Sequence, residues 1–203
     1  MQSAHNQLVA NLARARDLRG LYVTLKATTA PALDLTDILR AAIVSAVSAF
    51  DAFIHEIARV GMVEIYQNAR PRTDAFRRFS VLMDNVLQVV STPSSTQWLE
   101  EEIRRQHGWL SFQQPDKVAD AIRLFCGKEL WKEVADLLEI DSKSAKNRLA
   151  LIVDRRNKIA HEADMDPSSP GARWPIDEEI VQEAIDAIEE IAGAIYRVVT
   201  TTD

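Results

Sequence analysis

The run Arg156-Asn157-Lys158-Ile159-Ala160-His161 gathers residue types that together could carry out acid–base chemistry on a phosphate. An imidazole titrates near neutral pH and can therefore take or give a proton. A guanidinium presents a planar fork that grips two phosphate oxygens. Asn157 and His161 are four apart, one above the other on a helix, so the amide can hydrogen-bond the imidazole and fix its tautomer. Arg155 and Lys158 add charge for substrate binding, and with Lys143, Lys146 and Arg148 they make this the most basic stretch of an acidic chain, opposed mainly by Asp154. A solvated cationic face and a local phosphate site would look alike here. Five residues separate Arg156 from His161, about 140° on an ideal helix, so the two converge only if their side chains swing together or the helix end unwinds.

The element that must position these residues is a helix beginning near Ser142, with an apolar stripe of Leu149, Ile152, Val153, Ile159 and Ala160. Arg156 interrupts that stripe. A guanidinium there must snorkel, pair with a carboxylate, or line a groove that an anion visits. Before it, helical periodicity predicts a segment from about Ser3 to Thr28, closed by Pro31. A long central helix from about Thr36 to Asn68 buries Leu39, Ile43, Ala46, Phe50, Phe53, Ile57 and Val60, and confines Ser48, Asp51, His55 and Arg59 to a narrow polar line. Further helices are expected from a Thr73 cap to about Val90, from a Ser95 cap through Gln106, over Val118 to Phe125, and from about Glu129 to Leu138. After the motif, Asp166 to Trp174 reads as a loop, and Asp177 caps a last helix to about Val199. The acids of that helix, Asp177, Glu178, Glu179, Glu183, Asp186, Glu189 and Glu190, read as a solvated face.

The fold class is all-α, with few or no strands: glycine and proline number 6 and 7 and fall between the periodic segments. With 203 residues, 47% of them hydrophobic, one domain spanning 1–203 is expected. A net charge of -6 argues against a protein that holds nucleic acid through a broad basic surface, so any such contact must be local. A lone Cys126 and four scattered histidines offer no zinc spacing, and no cofactor is expected. His5 is expected exposed, His55 interior and polar, and His107 at a helix end, all three structural. Trp98, Trp109 and Trp131 are assigned to the core, while Trp174 could be core or a base-stacking platform. Arg40, Asp51, His55, Glu56 and Arg59 spoil the apolar stretch 38–66 as a membrane span, the N-terminus lacks a signal-peptide pattern, and a cytoplasmic location is the expectation.

The string from Val153 to Asp164, with Arg156, a polar Asn157 and then His161, resembles the signature of HEPN domains, most closely the RiboL-PSP-HEPN branch. The stretches Leu39 to Ala42, Ser48 to Glu56, Ser111 to Lys117 and Gly171 to Ile176 resemble the same branch, so the resemblance covers about 35–195. It implies a HEPN-like helical bundle with additional short helices between the second and the motif helix. It also implies a homodimer with a composite site, in a family many of whose members cut RNA in toxin or antiviral-defence systems; an antitoxin protein is a candidate partner, which the sequence does not decide. Arg156, Asn157 and His161 match the catalytic positions. Asp51 falls where the family often has a polar residue facing the site; a buried pair with an arginine of the motif helix is the other reading of it. RNA carries its own nucleophile, the 2'-hydroxyl, so a metal-independent endoribonuclease would leave a 2',3'-cyclic phosphate and a 5'-hydroxyl. Some HEPN domains have lost catalysis, and a module binding RNA, a nucleotide or a partner protein is the alternative.

Overall fold

The computed structural model describes residues 1–30, 33–91 and 95–201; the Pro31 expected to close the first helix lies outside them. Nine helices occur among the described residues: α1 Gln2–Thr28, α2 Thr36–Tyr66, α3 Asp74–Arg77, α4 Met83–Ser91, α5 Gln97–His107, α6 Pro115–Arg123, α7 Leu130–Leu138, α8 Ser142–His161 and α9 Glu178–Thr200. An isolated bridge between Met165 and Arg173 is the β-type pairing recorded among them.

The central helix is α2, which packs against α1, α5, α6, α8 and α9. Leu39, Ile43, Ala46, Phe50, Phe53 and Ile57 are fully or almost fully buried, as the periodicity predicts, while Val60 is half-buried. By length and composition alone α2 could cross a membrane, with a mean hydropathy of 1.5 over its most apolar window; here that surface is spent on the core. At Gly61 a side chain would collide with the Phe125 ring, so glycine is what lets the segment after α6 lie directly on α2.

The helix ends follow local chemistry. Asp141 caps α8 by accepting from the Ser144 amide, and Asp177 caps α9 by accepting from the amides of Glu179 and Ile180. Asn68 adopts a left-handed backbone, φ 58°, and α2 stops at Tyr66 rather than Asn68. Two expectations need correcting. The single helix from Thr73 to Val90 is two: Thr73 does cap α3, but Arg78 and Phe79 donate to carbonyls three residues back, tightening the last turn until it ends. The Ser80 carbonyl then accepts from Gln106 Nε2 instead of continuing the helix. The helix expected from Val118 starts at Pro115, because proline at the first helical position gives up no hydrogen bond.

The acids of α9 are also less solvated than expected. Asp186 and Glu189 both pair with Arg16 of α1, Glu178 meets Lys26, and Glu190 meets Arg148 of α8. The acidic line of the last helix is therefore a seam against the basic positions of the first and the motif helix. Each exposed pair contributes little; the rotation of α9 follows from the burial of Val181, Ile185, Ile188 and Ile195 in the core.

Candidate active site

Helix α8 buries Ala145, Leu149 and Val153 and leaves Ile152, Arg156 and Ile159 half-buried along its next face, with Leu151 69% exposed. Arg156 thus occupies the position read from the sequence, in a line with Ile152 and Ile159. Its Nη1 donates to Asn157 Oδ1 at 3.0 Å, and its Nε is buried without a hydrogen-bond partner. No carboxylate pairs with it among the described residues. The structural ion pair, one of the three readings of Arg156, is not what the fold builds.

His161 is the last residue of α8 and is exposed. The expected bond from Asn157 to His161 is not formed: the Asn157 amide oxygen takes Arg156 instead, so within one chain Asn157 orients the guanidinium rather than the imidazole.

The chain after His161 is held tightly. The Lys158 carbonyl accepts from the amides of both Glu162 and Asp164, at 2.9 and 3.0 Å, and Ala163 and Asp164 are both left-handed, φ 51° and 59°. This turn carries the Asp164 side chain into the interior, where it is fully buried. Its Oδ2 accepts from Arg40 Nε at 2.7 Å and from Arg155 Nη2 at 2.8 Å. Both arginines also donate to the Trp174 carbonyl, and Arg155 reaches the Pro175 carbonyl. One buried carboxylate therefore ties together α2, α8 and the chain leading into α9.

Sequence reasoning assigned Arg155 to substrate binding; the structure places it in this hub. Burial, and then the charge of Arg40, lower its pKa, with Asp164 acting in the opposite direction. Asp164 and Arg40 were not singled out from the sequence. Their signal was present, since an arginine inside the apolar stretch of α2 needs a buried partner, but the partner is 124 residues away.

Asp51 is not brought to the motif. Its carboxylate accepts from the Phe112 amide at 2.7 Å and from Gln113 Nε2 at 3.1 Å, with His55 Nε2 at 3.8 Å. It fixes the segment between α5 and α6, and the alternative of a pair with an arginine of α8 is not formed either. Its polar line on α2 faces a separate cleft of about 450 Å³. There His107 is pushed down to about 4, by burial and then by His55. Among the described residues no group of three or more His, Cys, Asp or Glu gathers as a metal set would.

Two aromatic assignments also change. Trp109 is 79% exposed rather than core, and His5 is half-buried, stacked on Tyr196 at 4.5 Å between ring centroids.

Among the described residues, five of the seven buried polar side-chain atoms without a partner belong to Arg155, Arg156, Asp164, Arg173 and Trp174. They crowd the end of α8 and the loop after it.

A family model described as RiboL-PSP-HEPN matches residues 10–201. The chain belongs to that family. Searches of curated proteins and of solved structures find no match. HEPN domains include ribonucleases and nucleotide-binding modules, and they commonly act on RNA and dimerise. The all-α bundle is that of a HEPN domain, with α3 to α7 as the short helices inserted between the second helix and the motif helix.

Proposed function

We propose that this HEPN domain is a metal-independent endoribonuclease of the toxin or antiviral-defence type, acting as a homodimer. The observation that carries the reading is Arg156: half-buried in an apolar line, oriented by Asn157, and matched to no carboxylate among the described residues. A charge kept in that state at a cost in solvation suits a group whose partner is a transient anion.

In this reading the 2'-hydroxyl attacks the adjacent phosphorus while a His161 imidazole accepts its proton. The phosphorus–O5' bond breaks, and a protonated imidazole gives its proton to the leaving 5'-oxygen. Arg156 neutralises the charge gathering on the non-bridging oxygens. One chain supplies one motif histidine, so base and acid are met by His161 from two copies. The exposed Leu151 beside the half-buried Ile152, Arg156 and Ile159 gives such a pair an apolar margin to meet on. Lys158, ion-paired with Asp154 at 2.9 Å, is a substrate-binding residue in this scheme.

The test is cleavage of single-stranded RNA in EDTA, with the product ends analysed. The expected products carry a 2',3'-cyclic phosphate and a 5'-hydroxyl, and His161→Ala lowers the rate by about 10² to 10⁴. Wild-type protein that leaves RNA intact, or products with 3'-hydroxyl ends, would overturn the reading.

A further inference from the structure

One aromatic side chain at the motif is unused by this chemistry. Trp174 follows the 165–173 loop, and its backbone is held on both sides. Its amide donates to the Asp164 carbonyl at 2.9 Å, and its own carbonyl accepts from Arg40 at 3.1 Å and Arg155 at 3.2 Å. The ring is half-buried, with Nε1 turned inward and unpartnered. Over the ring sits the Lys158 ammonium, 5.5 Å from the centroid. Lys158 is one turn before His161 on α8, and its side chain is 35% exposed.

These facts describe an indole anchored through its backbone, with its polar edge turned inward and a flexible cation resting on it beside the histidine. We propose that Trp174 is a stacking platform for one unpaired nucleobase of the substrate. The base takes the place of Lys158 on the ring, and the ammonium moves to that nucleotide's phosphate. The inference rests on the RNA-cleavage reading of the same site. Stacking on an aromatic face tolerates any base, because every base has a π-face, so the subsite grips single strands and discriminates against paired ones. The other tryptophans do not offer this combination. Trp131 is buried with Nε1 bonded to the Pro115 carbonyl, and Trp98 packs edge-on against Tyr66. Trp109 is exposed after α5 and serves as the control.

The experiment places 2-aminopurine at successive positions of a 2'-O-methyl oligoribonucleotide, which binds but cannot be cut, and follows its fluorescence on adding the full chain. The expected result is strong quenching at one position. Trp174→Ala abolishes it and weakens binding about 5- to 150-fold, the range that base–aromatic stacking supplies. Trp174→Phe and Trp109→Ala retain both signals. Trp174→Leu preserves apolar bulk without a π-face and must also lose the quenching, which keeps the test sound should the alanine variant fail to fold. Quenching unchanged in Trp174→Leu, while wild-type protein cuts RNA, overturns the platform and leaves the nuclease reading standing. Wild-type protein that neither binds the oligonucleotide nor cuts RNA overturns both.

Discussion

Replacing Asp164 with asparagine separates the charge of the buried hub from its shape. Asparagine is close in size and tolerates the left-handed backbone that Asp164 occupies at φ 59°. What disappears is the negative charge that Arg40 and Arg155 share. Breaking a buried pair from one side costs about 3–5 kcal/mol, because the remaining charge stays desolvated. Arg40 meets that condition, its side chain being 5% exposed, while Arg155 at 21% is partly screened. The amide oxygen still accepts one N–H, and the Trp174 and Pro175 carbonyls still accept others. The low end of the range therefore applies, about 3 kcal/mol. For a chain of this size that is a fall in Tm of about 6–12 °C. Urea unfolding followed by far-UV circular dichroism reads it directly. Asp164→Ala should lose about a further 1 kcal/mol or more, since alanine is strained at this φ. A loss below about 1 kcal/mol in Asp164→Asn would mean that carbonyls and water satisfy the two guanidiniums, and the hub would lose its role as the anchor of the α8 end.

Neighbouring arginines should separate in the same assay: Arg155→Ala destabilises the fold by about 1–3 kcal/mol, whereas Arg156→Ala leaves unfolding within about 0.5 kcal/mol of wild type yet removes RNA cleavage. Acid unfolding should occur in two stages. His107, lowered from 6.5 to about 4 chiefly by burial, binds protons more readily unfolded, so its share of stability is present above pH 6.5 and drains as pH falls toward 4. Glu102, lowered from 4.5 to about 2 by its bond from Arg105 above all, gives a share that is present above pH 4.5 and drains toward pH 2. His107→Phe should flatten the first stage and Glu102→Gln the second, as measured by denaturation midpoints across pH. Heterodimers of wild-type and His161→Ala chains should cut RNA far below half the wild-type rate, and a rate at or above half would show that each chain works alone.

Most of the bundle was legible in the sequence because helical periodicity and capping are local. Asp141 and Asp177 stand where helices begin, and Leu39 to Ile57 recur with the period of a buried face. What escaped is non-local. The role of Arg155 depends on a carboxylate beyond the helix end that also serves α2. The apolar stripe marks Arg156 out from its neighbour Arg155, but nothing local in the sequence shows that Arg155 is the one that meets a carboxylate. The left-handed turn at Ala163 and Asp164 brings that carboxylate to the helix face Arg155 occupies. Asp51 misled for the same reason: its helix face was read correctly, but the partner on that face comes from the segment before α6.

The carbonyls that receive Arg40 and Arg155 belong to residues 174 and 175, and α9, made later still, packs against α1, α2, α7 and α8. During synthesis the ribosome finishes α8 about 40 residues before the end of α9, a delay of about 2–8 s at ordinary elongation rates. Throughout that interval Leu149 and Val153 lack their full cover. The motif helix is therefore packed in full only after α9 has been made, a stretch whose own sequence contains none of the motif's reactive groups.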